Sequence, residues 1–182
     1  GILRGMYRFR PSGADGAELK ANLFGSGAIL NQALEAQVIL GERYNVAADV
    51  WSITSFKELY MDGTACDRVN RLNPGGEQRV PWVRRCLQET EGVYVIASDY
   101  VKALPNSICR WFPKAPVALG TDGFGRSESR AALRRFFEVD AAHIVVATLG
   151  ERAREGRLDP EVVRSAIAEF GIDPGAPNPV SV

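Results

Sequence analysis

The segment PVALGTDGFGRS, residues 116–127, decides the fold of this chain. A short apolar run that starts at Pro116 meets a polar loop with three glycines, and a helical pattern opens at Ser127. An apolar run, a glycine turn and a capped helix are typical of a buried parallel strand ending in an α/β domain. We identify no catalytic nucleophile or base in the loop. These residues therefore predict an architecture and no reaction.

Strand-like and helical patterns alternate along the rest of the chain. The predicted strands are residues 5–10, 18–24, 46–53, 93–97 and 116–119. The second to fifth should run parallel because each of their connections contains a helix, which predicts a three-layer α/β/α sandwich. The loop between the first two strands is short, so local reasoning alone would pair them as a hairpin.

Helical periodicity and capping residues predict the elements between and after the strands. The predicted helices are residues 28–41, 56–70, 81–90, 100–111, 128–137, 140–155 and 160–170. We expect an interruption at 61–64 and a kink or restart at Pro105, which removes a backbone hydrogen bond. Asp140 and Asp159 are the expected N-caps of the last two helices. The proline-rich tail, residues 172–182, should be extended.

Length and composition restrict the classes of function. The 182 residues suit one domain, 1–182, and 22 basic residues balance 22 acidic ones, which predicts no nucleic-acid or membrane partner. Three dispersed cysteines fit a reducing compartment, so we expect a cytoplasmic location. We expect no signal peptide. The chain starts at Gly1 without an initiator Met, which is typical of a fragment of a longer polypeptide.

The glycine loop supplies the candidate site residues. It follows the carboxyl end of a parallel strand, where open α/β sheets bind ligands. A structural or interface role is the favoured interpretation, because Asp in a turn commonly accepts hydrogen bonds from the loop's own amides. The candidates are Thr121, Asp122, Gly123, Phe124, Gly125 and Arg126.

Two other features are weaker candidates for chemistry. Gly25-Ser26-Gly27 resembles the start of a dinucleotide-binding loop, but Leu30 stands where the third glycine belongs, which favours a plain tight turn. His143 is the only histidine and has no partner at metal-ligand or triad spacing, which favours a capping or surface role.

A basic stripe is formed by Arg126, Arg130 and Arg134, which are spaced four residues apart. Such a stripe could hold a phosphate or an acidic partner, whereas a solvated helix face is the default interpretation. The three tryptophans are expected to anchor the core or an interface; they are Trp51, Trp82 and Trp111.

Several separated motifs resemble one known family in the same order. They are LFGSGAIL (23–30), DVWSITSFKEL (49–59), RVPWV (79–83), GTDGFGRSESR (120–130) and FFEVDAAHIVVATLGE (136–151). Together they closely resemble the C-terminal domain of the homodimeric bacterial pyruvate dehydrogenases. These are the first, decarboxylating components of the complex and are thiamine-diphosphate enzymes related to transketolase. The resemblance covers the whole chain.

The resemblance implies a fold and a division of labour. The fold would be transketolase C-terminal-domain-like, with a mixed five-stranded sheet in the order 1-3-2-4-5 and an antiparallel first strand. Thiamine diphosphate and Mg²⁺ would be held by two other domains of a longer homodimeric parent, which passes its acetyl group to a dihydrolipoyl acetyltransferase component. We therefore assign no catalytic, cofactor-binding or metal-binding residues to this chain and expect it to be inactive alone.

The residues alone leave other functions possible for this chain. One is a free-standing ligand-binding α/β domain that uses loops 25–27 and 120–126 together. Another is an interaction module that docks a partner through the arginine stripe. Within the family, transketolase and other 2-oxo acid dehydrogenases are the alternatives.

Overall fold

The computed structural model describes residues 1–14 and 16–182. Its strands are β1 (Met6–Arg10), β2 (Leu19–Ser26), β3 (Val46–Ile53), β4 (Val93–Ala97) and β5 (Val117–Leu119). Its helices are α1 (Leu30–Tyr44), α2 (Phe56–Leu72), α3 (Trp82–Leu87), α4 (Ala103–Asn106), α5 (Arg130–Phe136), α6 (Ala141–Arg154) and α7 (Pro160–Glu169). No helix in this described part of the chain is long and apolar enough to cross a membrane.

The five strands form one sheet in the order β1-β3-β2-β4-β5, with β1 antiparallel and the other pairs parallel. The order implied by the resemblance is confirmed, and the hairpin suggested by loop length is wrong. The loop after β1 stays on β3, because the Ser12 amide donates to Asp49 Oδ1 at 2.8 Å. Arg8 also pairs with Asp49, at 3.1 Å. Asp15, within this loop, lies outside the described residues.

Helices cover both faces of the sheet, which confirms the predicted α/β/α sandwich. Successive side chains of a strand point to opposite faces. Leu23 accordingly belongs to the core beneath α1 and α6, whereas Phe24 belongs to the core beneath α2 and α3. The interior strand β4 is buried along its whole length. The edge strand β5 is only half-buried, so the prediction of a buried strand before the glycine loop is wrong.

The β-branched run at 144–146 is helical in α6, as predicted. Asp140 caps the helix by accepting a hydrogen bond from the His143 amide at 3.0 Å. Ile144 and Val145 are fully buried against the sheet. Burying each such side chain is worth about 2 kcal/mol, which exceeds the small intrinsic preference of these residues for strands.

Helix α2 is continuous, and the interruption expected at 61–64 is wrong. The indole ring of Trp111 packs directly against Gly63, where a side chain would not fit. Asp62 accepts the backbone amide of Trp82 at 2.6 Å, and the Thr64 hydroxyl donates to a carbonyl one turn earlier. Tertiary contacts therefore keep this segment helical, although its intrinsic helix propensity is poor.

The helix predicted over 100–111 is much shorter in the structure, and it breaks at 107–108, just after Pro105, near the kink or restart expected there. The chain forms the four-residue α4 and then a separate 3-10 turn, Cys109–Trp111. Before α4, the Ser98 hydroxyl accepts the amide of Tyr100 at 3.3 Å. The Lys102 amide, at the N-cap of α4, donates to Asp122 of the loop after β5, so an acceptor from another loop satisfies the first free amide of this short helix.

Smaller differences concern where elements begin and end. Helix α5 starts later than expected, because the Ser129 hydroxyl and not Ser127 accepts the first-turn amide of Ala132, at 3.2 Å. Helix α3 is shorter than the 81–90 prediction. The tail expected to be extended contains a 3-10 turn, Pro179–Ser181, which we call the C-terminal turn.

Candidate functional site

The loop after β5 is bonded to the loop after β4. Asp122 Oδ1 accepts the Lys102 amide at 2.8 Å, and its Oδ2 lies 3.7 Å from the Lys102 ammonium. The Thr121 amide and hydroxyl donate to the carbonyls of Tyr100 and Asp99, at 3.0 and 2.8 Å. We expected Asp122 to bind its own loop; it binds the neighbouring one. These contacts join the two loops at the carboxyl edge of the sheet.

Gly123 lies where this loop meets the end of the chain. Its φ is +98°, and a Cβ there would stand 2.6 Å from the Pro179 carbonyl oxygen. Both the left-handed backbone and the close approach require glycine. Gly125, in contrast, has open space around it, and nothing in the structure requires glycine at that position.

The two remaining loop candidates have different surroundings. Phe124 projects into solvent with 83% of its surface exposed. The Arg126 guanidinium lies over the ring of Phe136, 4.2 Å from its centroid, in a cation–π contact. A structural or interface role for the six candidate residues stays a prediction, and their geometry is compatible with it.

Exposed apolar side chains, Phe124 among them, lie on neighbouring segments at the carboxyl end of the sheet. They are carried by the loop after β4, the loop after β5 and the C-terminal turn, three segments joined by the contacts above. We call this set of side chains the carboxyl-end face. Its exposed members are Tyr100, Val101, Leu104, Phe124 and Val180.

A groove of about 390 Å³ lies beside this face, between the start of the α1 region, the loop after β4 and helix α5. We call it the α5 groove. The sequence analysis left open a ligand site between loops 25–27 and 120–126, but it did not predict this groove, because its walls also come from segments far apart in the chain. Its lining includes Ile29, Asp99, Arg130, Leu133, Arg134 and Phe137.

The structure divides the predicted arginine stripe. Arg130 and Arg134 line the α5 groove, whereas Arg126 precedes the helix and stacks on Phe136. In the described part of the chain, none of the three has an ion pair. Their neighbour Arg135 is structural: it donates to the carbonyls of Phe170 and Gly171 at 2.6 and 2.7 Å, at the end of α7.

Gly25-Ser26-Gly27 forms the sharp turn from β2 towards α1. A Cβ on Gly25 would stand 2.5 Å from the Leu30 Cα, so glycine is required for the helix to pack this close to the strand. Gly27 has a φ of +56°. The glycines thus have a packing role, as the tight-turn interpretation predicts.

His143 belongs to the cap of α6. Its Nδ1 lies 2.6 Å from Asp140 Oδ1, and both side chains are largely buried. Burial works to raise the pKa of Asp140, but hydrogen bonds from the His143 side chain and amide, together with the Arg135 charge, lower it overall. Among the residues that the structure describes, no three His, Cys, Asp or Glu side chains form a group that could hold a metal ion.

Close relatives of the chain share one name. It is 44% identical over 181 residues to the pyruvate dehydrogenase E1 component of Pseudomonas aeruginosa, covering 99% of this chain and 20% of that protein. The Escherichia coli K12 and Mycobacterium tuberculosis components are 43% and 40% identical, each over 98% of this chain and 20% and 19% of their own lengths. The chain thus spans about a fifth of the length of the curated relatives it matches.

Solved structures and a family model agree on the fold. A transketolase from Campylobacter jejuni superposes with a TM-score of 0.52 at 20% identity, over 80% of this chain and 18% of its own. A split-gene transketolase, described as an inactive beta4 tetramer, gives 0.51 at 17% identity, over 79% and 40%. The model of the transketolase-like TK C-terminal domain matches residues 5–140. The chain therefore belongs to the family of transketolase-like C-terminal domains.

Proposed function

We propose that this chain is the C-terminal structural and assembly domain of a bacterial pyruvate dehydrogenase E1 component. The observation that carries this proposal is 40–44% identity to such components over 98–99% of the chain. The solved transketolases are only 17–20% identical, which favours the pyruvate enzyme over transketolase.

The whole enzyme would oxidatively decarboxylate pyruvate in the cytoplasm and pass the acetyl group to a lipoyl-bearing acetyltransferase component. Thiamine diphosphate and Mg²⁺ would be held by the other domains of a homodimeric parent. The polar groups of the glycine loop support this division of labour. Asp122 and Thr121 already bond the loop after β4, so their oxygens serve the protein's own backbone.

The carboxyl-end face supports a role in assembly. Contiguous exposed apolar surface commonly marks an interaction site, and aromatic side chains commonly dominate the binding energy there. Phe124 stands on a loop that is already fixed by hydrogen bonds, so docking it into a partner would cost little conformational entropy. The relatives are about five times longer than the match, and we assign the face to contact with those remaining domains.

The test is a chimera of the Pseudomonas aeruginosa component in which this chain replaces the matching fifth. We expect a folded dimer that decarboxylates pyruvate and supplies acetyl groups to its acetyltransferase. A matched chimera carrying the corresponding piece of the Campylobacter jejuni transketolase should be inactive with pyruvate. A folded dimeric chimera without pyruvate decarboxylation would contradict the proposal.

A further inference from the structure

We propose that the α5 groove binds a small organic anion with one negative charge and an apolar body. The inference does not depend on the proposed function, because it rests on charges, shape and position within this chain. Its ligand class is that of a medium-chain or aromatic monocarboxylate.

The positive charge of the groove favours binding of an anion. Arg130 and Arg134 are one turn apart on α5 and line the same groove. Neither guanidinium has a hydrogen bond or ion pair within the described residues, whereas Arg154 and Arg164 on other helices each pair with a glutamate of their own helix. An anion between Arg130 and Arg134 would receive the charge-assisted hydrogen bonds that the protein itself does not supply.

Asp99 limits the ligand to a single negative charge. Asp99 is one of the residues that line the groove, and its carboxylate has no hydrogen-bond or ion-pair partner among the described residues, so the three charged side chains of the lining sum to +1. A monoanion neutralises this charge. A second negative charge would lie in the same groove as Asp99 and be repelled by it.

The walls between these charges are apolar. Leu133 and Phe137 lie partly buried along the groove, with Ile29 beneath them. The volume of about 390 Å³ falls within the usual size of a small-molecule site. A benzoate or a six-carbon carboxylate would cover this apolar surface while its carboxylate reaches the arginines.

The α5 groove lies where open α/β sheets commonly bind their ligands. From the carboxyl end of β2 the chain crosses to β3 on one side, and from the carboxyl end of the neighbouring strand β4 it crosses to β5 on the other side. The connections therefore diverge between β2 and β4, and the crevice outside the carboxyl ends at such a point is the general ligand position. Ile29 follows β2 and Asp99 follows β4, so the groove occupies this crevice.

Titration of the isotope-labelled 182-residue chain, followed by the NMR shifts of its backbone amides, tests the proposal. The probes are hexanoate, hexanol, acetate and the dianion adipate. We expect hexanoate to shift the amides of Thr121, Leu133 and Phe137, and to bind about tenfold more tightly than any of the other three probes.

Variants separate a specific site from general attraction to a basic surface. Arg130→Gln and Arg134→Gln should each weaken hexanoate binding about tenfold, while Arg154→Gln, on the exposed face of α6, should leave it unchanged. Asp99→Asn should strengthen adipate binding towards that of hexanoate, which a purely structural Asp99 would not do.

Each contrary result overturns the proposal. These results are no localised shifts at about 50 mM hexanoate, equal binding of hexanol and hexanoate, or equal losses in the Arg154 and Arg134 variants. Binding of a glutamate-rich peptide without hexanoate binding would assign the groove to a protein partner instead. Since the readout needs no pyruvate chemistry, failure here leaves the chimera test of the proposed function unaffected.

Discussion

Replacing Gly63 with alanine should destabilise the protein, although the residue lies in the interior of helix α2. In an exposed helix, Gly→Ala stabilises by about 1 kcal/mol. Here the new Cβ would stand 2.4 Å from two atoms of the Trp111 indole ring. Contacts below 3 Å do not occur between a Cβ and its neighbours, so the ring or the helix must move.

The ring has little freedom to move. Trp111 is buried, its Nε1 donates to Asp67 at 3.2 Å, and the ring of Tyr60 packs edge-on against it. Overpacking of this kind costs about 1–3 kcal/mol, and the fixed ring places the cost near the upper end. After the helix-propensity gain of about 1 kcal/mol, we expect a net loss of about 2 kcal/mol.

Gly150→Ala is the matched control. Gly150 lies inside α6 and has no atom within 4 Å of its virtual Cβ, so the same substitution should stabilise by about 0.5–1 kcal/mol. Urea unfolding of both variants, followed by circular dichroism, measures the two free-energy changes. Equal stabilisation in the two variants would refute the assigned packing of Trp111 on α2.

Three further outcomes follow from contacts at the sheet's carboxyl edge and at the α6 cap. Asp122→Ala should lower the free energy of unfolding by about 1–2 kcal/mol and speed hydrogen exchange of the Lys102 amide; unchanged exchange would contradict the assigned bond. Gly123→Ala should displace the C-terminal turn and raise its protease sensitivity, whereas an unaltered digestion pattern would count against that contact. Asp140 has a lowered pKa, so its stabilisation is complete above the ordinary value of 3.8 and is lost as the pH falls through the lowered pKa. Asp140→Ala should accordingly cost about 1 kcal/mol at about pH 7 and less at about pH 2 in urea titrations, and an equal cost at both would contradict the cap with His143.

The sequence predicts those elements whose signals are local. Helix α7 has an Asp159 cap, Pro160 at its first position and Gly171 beyond its end, and each occupies the expected place in the structure. Strands β3 and β4 match their predicted bounds, because a mostly apolar run in β3 and an apolar run in β4 are bounded by polar or turn residues.

Features that depend on distant contacts could not be predicted from local patterns. The continuity of α2 depends on Trp111 packing beside Gly63, about fifty residues away in the chain. The position of β1 beside β3 came from the family resemblance, since loop length favoured a hairpin. The partner of Asp122 lies in another loop, and no spacing in the sequence indicates it.

The candidate surfaces likewise include one that the sequence identifies and one that only the folded structure shows. The glycine loop was identified from its composition and its place after a strand. The α5 groove was not, because only folding brings Ile29, Asp99 and Leu133 together. Of the predicted arginine stripe, Arg126 lies before helix α5, whose cap is Ser129.

The central claim is that this chain is a scaffold whose parent holds the reactive groups in other domains. Calorimetric titration of the folded 182-residue chain with thiamine diphosphate and Mg²⁺ tests it most directly. The account predicts no measurable heat of binding, while the active chimera described above binds both under the same conditions. Saturable binding by this chain alone would contradict it.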